Sequence, residues 1–139
     1  MTTTTTTMPS QMFVEETEAN RRIAIDFLRE VARGRAGAAM DRYAASGFVH
    51  HNPYFAKDAG SLATAMDQNH ADNPDKQLEI LRAIAEGPLV AVHAWVKHKP
   101  GDDPVALVHL FRIEDGRINE LWDLSQEPVV DSPNEAGLF

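Results

Sequence analysis

The residues best suited to chemistry are a histidine and an aspartate in the last third of the chain, His109 and Asp123. Each lies within a run of alternating apolar and polar residues, and the two runs flank Asp115-Gly116. An Asp-Gly pair between alternating runs is a strong signal for a β-hairpin. A histidine and a carboxylate inside strands are costly to bury unless they are paired or used. The pattern therefore predicts a pocket in which protons are transferred.

Whether the two side chains meet depends on the register of this hairpin. A two-residue loop would turn Asp123 away from His109, whereas a three-residue loop over residues 114–116, with Gly116 left-handed, would bring both to one face. We expect the three-residue loop, because it leaves the opposite face mostly apolar. That opposite face then consists of Val108, Leu110, Ile118 and Trp122.

Composition excludes several classes of protein. The 139 residues predict one domain with a substantial core. The chain has no cysteine, which excludes disulfides, thiolate metal sites and a cysteine nucleophile. A net charge of -8 argues against a nucleic-acid partner, and no apolar run is long enough for a membrane helix. With no signal peptide in view, we expect a cytoplasmic protein.

Helical patterns come first and strand patterns follow. Ile23, Phe27 and Val31 recur at four-residue spacing within a helix expected over residues 11–33. A short helix with Met40, Tyr43 and Ala44 as its apolar side follows, then a break at Ser46-Gly47, an extended piece over 48–53 and a helix capped by Ser61. Strands are expected over residues 77–86, 89–98, 105–114 and 117–125.

This order predicts an α+β fold with N-terminal helices packed on one face of a curved antiparallel sheet. Residues 1–10, which include a run of threonines, are expected to form a disordered leader. Residues 11–126 then form the single domain, and residues 127–139 form a C-terminal tail.

Three segments, residues 48–53, 86–93 and 111–123, carry a resemblance to the SnoaL-like polyketide cyclase family of the nuclear transport factor 2-like, or cystatin-like, superfamily. The resemblance implies a cone-shaped α+β barrel around one deep pocket and a homodimer formed through the outer face of the sheet. It also implies ring closure by aldol condensation, with a pocket aspartate as acid/base and neither metal nor organic cofactor. The matching aspartate is Asp123. His109 and Leu121 depart from the family, whose members often carry an aspartate and a histidine there.

The residues suggest roles around Asp123. A carboxylate in a largely apolar cavity accepts a proton more readily than one in water. His93 and His109, as neutral donors, would stabilise the enolate that forms. His51 and Asn52 would line the pocket entrance, with His50 as the alternative inward residue. The remaining expected substrate contacts are Tyr43, Trp95, Phe111 and Gln126.

Two alternative hypotheses on function use the same residues. Three histidines and a carboxylate are potential ligands of zinc, iron or manganese, but their spacing lacks a local ligand motif, and we expect neither metal nor cofactor. The pocket would otherwise belong to a non-catalytic module that binds a small molecule. The expected partners are a small-molecule substrate and a second copy of the chain, with no nucleic acid or membrane.

Overall fold

A computed structural model describes residues 9–139, in which helices precede most of the strands. The elements are α1 (Pro9–Ala32), α2 (Ala36–Tyr43), β1 (Ala44–His50), α3 (Ala59–Asp72), β2 (Gln77–Glu86), β3 (Leu89–Lys97), β4 (Val105–Glu114) and β5 (Arg117–Gln126). The predicted α+β class, with helices packed against a curled sheet, is confirmed. Most of the predicted leader lies outside the described residues, although its residues 9 and 10 already belong to α1.

The sheet is mixed rather than purely antiparallel. Its strand order is β1-β5-β4-β3-β2, and the four strands from β2 to β5 form an antiparallel meander. The edge strand β1 runs parallel to β5, because the chain leaves β1 through α3 and enters the sheet again at its far edge. The sequence places Ala44 in a helix and a break at Ser46-Gly47, but the structure has all three residues inside β1.

Helix α1 supplies the central packing surface of the fold. Its buried residues are Asn20, Ala24, Phe27 and Leu28, which recur every three or four positions and so form one stripe. The Phe27 ring meets Phe111 of β4 edge-on, with ring centroids 5.9 Å apart. Among residues 9–139, no helix is long and apolar enough to cross a membrane.

Carboxylates fix the starts of the two shorter helices. Asp58, and not Ser61 as predicted, caps α3: it accepts hydrogen bonds from the Ser61 amide and hydroxyl, both at 2.8 Å. These bonds hold the pKa of Asp58 below its usual value. Asp67 of α3 accepts from the amides of Ala36 and Gly37 at 2.8 and 3.2 Å, so α2 is capped from a neighbouring helix. Both contacts satisfy amides that a helix start leaves free.

The end of α1 approaches α3 closely. Gly34 follows α1 with a φ of +79°, and a Cβ atom there would lie 2.5 Å from the His70 ring. A left-handed turn without a side chain is therefore needed at this position.

Polar side chains of α1 close the end of the sheet that carries the β2–β3 and β4–β5 turns. The buried Asn20 amide donates to the carbonyls of Gly87 and Ile113, at 2.9 and 3.4 Å. The Thr17 hydroxyl accepts from the Gly87 amide at 2.9 Å. One helix thus holds the β2–β3 turn against β4.

We expect Asn20→Ala to lower the free energy of unfolding by about 1–3 kcal/mol, because two buried carbonyls lose their donor. Urea unfolding followed by circular dichroism measures this change. The matched control is Gln11→Ala, which removes an exposed amide from the same helix and should change stability by about 0.5 kcal/mol or less. Equal effects of the two substitutions would contradict this role of Asn20.

Candidate active site

The β4–β5 hairpin places His109 and Asp123 on one face as expected, but its turn is not the predicted one. Its turn has two residues, Asp115 and Gly116, with φ values of +53° and +72°, and Glu114 pairs directly with Arg117. The predicted three-residue loop is therefore wrong. Positive φ at both positions is typical of a type I′ turn, for which Asp-Gly is a preferred sequence.

A β-bulge in β5 then returns Asp123 to the face that carries His109. Arg112 pairs with Glu120 but Ile113 pairs with Ile118, which leaves Asn119 as an extra residue. Because side chains alternate along a strand, one extra residue reverses the facing of everything beyond it. Ile118, expected on the outer face, is instead fully buried inside.

The consequence is that His109 and Asp123 stand directly opposite each other on the inner face. Leu110 and Trp122 form the next pair on the outer face, as predicted. Directly opposed residues in an antiparallel pair have Cβ atoms about 4.5–5.5 Å apart. The two strands therefore bring together the predicted acid/base and the predicted donor.

His109 is a buried imidazole with a free nitrogen. Its exposed fraction is 8%, and its ring lies beside Phe111 with centroids 6.2 Å apart. Its Nδ1 has no hydrogen-bond partner among the described atoms. Burial lowers the pKa of His109 below its ordinary value of 6.5, and the negative charge of Asp123 opposes this shift only in part. The imidazole is therefore neutral near neutral pH.

Asp123 is positioned by a short chain of hydrogen bonds. Asn52 Nδ2 donates to Asp123 Oδ2 at 2.9 Å, and the Asn52 amide donates to His50 Nδ1 at 3.1 Å. His50 Nε2 in turn lies 2.5 Å from the Ala56 carbonyl oxygen. Because that carbonyl can only accept, the hydrogen of His50 is on Nε2. The segment after β1 thus holds one carboxylate oxygen of Asp123.

The structure shows which of the two adjacent histidines faces inward. His50 is the inward residue, paired with the buried Leu121 across β1 and β5. His51 lies on the outer face, stacked on Trp122 with ring centroids 5.2 Å apart. His51 therefore does not line a pocket with Asn52. Alternation offered a signal, because His50 shares its face with the apolar Phe48 two residues earlier.

His51 belongs to an ionic group on the outer face. Its Nε2 donates to Glu120 Oε2 at 2.6 Å, and Arg112 Nε donates to Glu120 Oε1 at 3.3 Å. Hydrogen bonds from His51 and then Arg112 hold the pKa of Glu120 below its usual value. This group could not be predicted from the sequence, since none of its residues has an informative spacing.

His93 and Trp95 also lie away from Asp123. His93 pairs with Val108, whereas its neighbour Val92 pairs with His109, so His93 projects from the outer face. Arg82 donates to His93 Nδ1 at 2.6 Å, and Phe139 stacks on the His93 ring. Trp95 shares the outer face by alternation. The sheet thus separates both residues from the inner face.

The other expected contacts are dispersed. Phe111 is fully buried and forms the wall beside His109. Tyr43 is buried in the core at the end of α2, with the Arg42 guanidinium over its ring. Gln126 is exposed at the end of β5 and lines a cleft with the C-terminal tail. Of the predicted site residues, Asn52, His109, Phe111 and Asp123 are the ones brought together.

The potential metal ligands are separated as well. Within the part of the chain that the structure describes, no group of three His, Asp or Glu side chains is placed to hold a metal ion. His51 and His93 face outward while His109 faces inward, so the histidines of the alternative metal site do not come together.

Comparisons with known proteins agree with this architecture. Residues 24–121 match the family model of the SnoaL-like domain, and no curated protein matches the sequence. A Kribbella flavida protein, provisionally named a ketosteroid isomerase, superposes with a TM-score of 0.67 at 22% identity, over 86% of each chain.

Two further solved structures extend the likeness. A provisionally named polyketide cyclase from Acidithiobacillus ferrooxidans has a TM-score of 0.64 at 18% identity, over 78% of this chain and 89% of its own. A nuclear transport factor 2-like protein of unknown function from Cytophaga hutchinsonii has a TM-score of 0.62 at 17% identity, over 77% and 89%. These likenesses show the fold, and the family match covers most of the domain. This chain therefore belongs to the SnoaL-like domain family.

Proposed function

We propose that this protein is a cofactor-independent acid–base enzyme that enolises a small carbonyl compound, in a reaction of the aldol or cyclisation type. The observation that carries the proposal is the direct pairing of His109 with Asp123 on the inner face. A base beside a buried, unpartnered donor is the arrangement that proton abstraction next to a carbonyl needs.

Asp123 is the proposed base. Asn52 binds its Oδ2, and no described protein group donates a hydrogen bond to its Oδ1. That second oxygen is the one that accepts the proton from the carbon next to the substrate carbonyl. The hydrogen bond from Asn52 fixes the carboxylate orientation, and fixed orientation accounts for much of the advantage of an enzymic base.

His109 is the proposed donor to the enolate oxygen. Its pKa is lowered by burial, so the imidazole is neutral and can donate from one nitrogen without carrying a charge into the core. The ring nitrogen that carries the hydrogen donates to the oxygen on which negative charge develops. The enolate carbon then attacks a second carbonyl, and the proton held by Asp123 passes to the new alkoxide.

We also propose a homodimer formed through the outer face of the sheet, as the family resemblance implies. By register, Ile84, Leu89, Leu110 and Leu124 project from this face, and all four are exposed. An apolar surface of this kind on a folded domain favours a protein partner.

The first of three predictions from these proposals concerns catalysis: Asp123→Asn should slow deuterium exchange at the α-carbon of diketones and short polyketide mimics by about a hundred- to ten-thousandfold. Proton nuclear magnetic resonance in deuterated buffer measures the rate. The matched control is His93→Gln, which changes a histidine on the outer face and should leave exchange unchanged.

Two results would count against this proposal. Equal exchange rates for wild type and Asp123→Asn would show that Asp123 is not the base. Tight binding of these compounds without any exchange would favour the non-catalytic binding module.

The second prediction concerns pH and follows from the lowered pKa of His109. As pH falls through 6.5, the unfolded chain binds a proton at this histidine before the folded chain does, so stability should decrease. His109→Gln should remove up to about 1.4 kcal/mol of this loss per pH unit. Urea unfolding between about pH 7.5 and 5.5 measures both slopes.

The control for this measurement is His98→Gln, which removes an exposed histidine and should keep the slope of wild type. Identical slopes for wild type and His109→Gln would show that His109 takes up its proton equally in both states.

The third prediction concerns assembly. Leu124→Glu places a charge on the outer face and should convert the dimer into a monomer in size-exclusion chromatography with light scattering. Val129→Glu alters an exposed apolar residue of the tail and should leave the dimer intact. A monomeric wild type would refute the assembly.

A further inference from the structure

A cleft of about 610 Å³ lies between the end of α1 and the start of β2. Because β2 is an edge strand, the cleft opens along the free edge of the sheet and reaches the next strand. Its lining residues are Arg29, Ala32, Arg33, Lys76, residues 77–80 and Trp95. None of them belongs to the group formed by His109, Asp123 and Asn52.

The charge of this cleft is opposite to that of the whole protein. The chain carries a net charge of -8, yet the described lining includes Arg29, Arg33 and Lys76 against Glu79 as its single carboxylate. Arg33, which directly follows α1, is paired with Glu30 of that helix at 3.1 Å. Across residues 9–139, Arg29 has no carboxylate within 4.0 Å. A local positive potential in an acidic protein concentrates anions.

Lys76 gives the second, independent observation. Its ammonium is partly buried, and burial lowers its pKa. It donates to the neutral Asn69 Oδ1 at 2.7 Å, and within the described chain it forms no ion pair. An ammonium has three donors, so two remain for another acceptor. A partly buried cation held only by a neutral amide is compensated by an incoming anion.

The remaining walls are apolar. Ala32, Leu78 and Ile80 line the cleft, and Leu78 and Ile80 pack against the core. Apolar walls with a few convergent polar groups are typical of small-molecule sites.

We propose that this cleft is a second binding site, which takes a small amphipathic anion consisting of a carboxylate or phosphate attached to an apolar ring-sized body. Lys76 and Arg29 bind the oxyanion, while Ala32, Leu78 and Ile80 contact the apolar part. The site is independent of the proposed enolisation, and its test requires no turnover.

The test uses isothermal titration calorimetry on the unmodified chain. Phenyl phosphate and benzoate are titrated into the protein while the heat of binding is recorded, with inorganic phosphate and benzyl alcohol as probes of each half of the ligand. We expect saturable binding of at least one aromatic anion, about tenfold or more tighter than either half-probe, a difference of about 1.4 kcal/mol.

Variants distinguish binding in the cleft from a general attraction of anions to positive charges on the protein. Lys76→Gln and Arg29→Gln should each weaken binding by about tenfold, since each removes a charge-assisted partner. Arg22→Gln removes the same charge from α1 outside the cleft and should change binding by less than about twofold. Far-UV circular dichroism verifies that each variant is folded.

Several results would overturn the proposal. These are no saturable binding of either aromatic anion, equal binding of benzyl alcohol, or an equal loss in Arg22→Gln. Tighter binding of benzoate than of phenyl phosphate identifies a carboxylate ligand, and the reverse order identifies a phosphate ester; both orders support the site.

Discussion

Buried polar side chains need hydrogen-bond partners, and this constraint organises the molecule from end to end. At the end with the tight turns, Asn20 satisfies two strand carbonyls from within α1. Toward the other end, His50 and Asn52 support Asp123. The buried Nδ1 atoms of His109 and His70 are the described exceptions. An unsatisfied buried nitrogen is costly in a folded protein, and His109 carries this cost beside the carboxylate.

The histidines divide between the two faces, and that division separates structural from chemical roles. His50 and His109 face inward, whereas His51 and His93 face outward and are bound to a carboxylate and a guanidinium. The outer pair interacts with charged groups at the surface, where solvent weakens each interaction. The inner pair sits among Phe48, Phe111 and Leu121, and burial lowers the pKa of His109. The enolisation that we propose would therefore take place on the inner face.

Much of the fold follows from local patterns in the sequence. The bounds of β2 and β4 are as expected, because alternation is regular there and turn residues flank both strands. The start of β1 was not predictable in the same way: Ala44 and Ala45 suit a helix, and their strand conformation depends on pairing with β5. Pairing between residues distant in sequence is a tertiary effect that propensity does not encode.

The candidate site was predictable in its central pair and less so in its surroundings. His109 and Asp123 stand out because polar residues are rare inside strands. The inward direction of His50 could be read from Phe48, but the hydrogen bond from Asn52 to Asp123 joins segments 71 residues apart. No local sequence pattern predicts such a contact, and none predicts the ionic group that Glu120 forms with His51 and Arg112.

The extra residue in β5 also matters for how residue roles are transferred among relatives. At identities of 17–22%, sequence alignment places gaps in hairpins with little to guide it. Displacing that gap across Asn119 would equate Asp123 with an outward position in another chain. Homologous carboxylates in this family should therefore be matched by superposing strand pairs, with the unpaired residue treated as an insertion of its own.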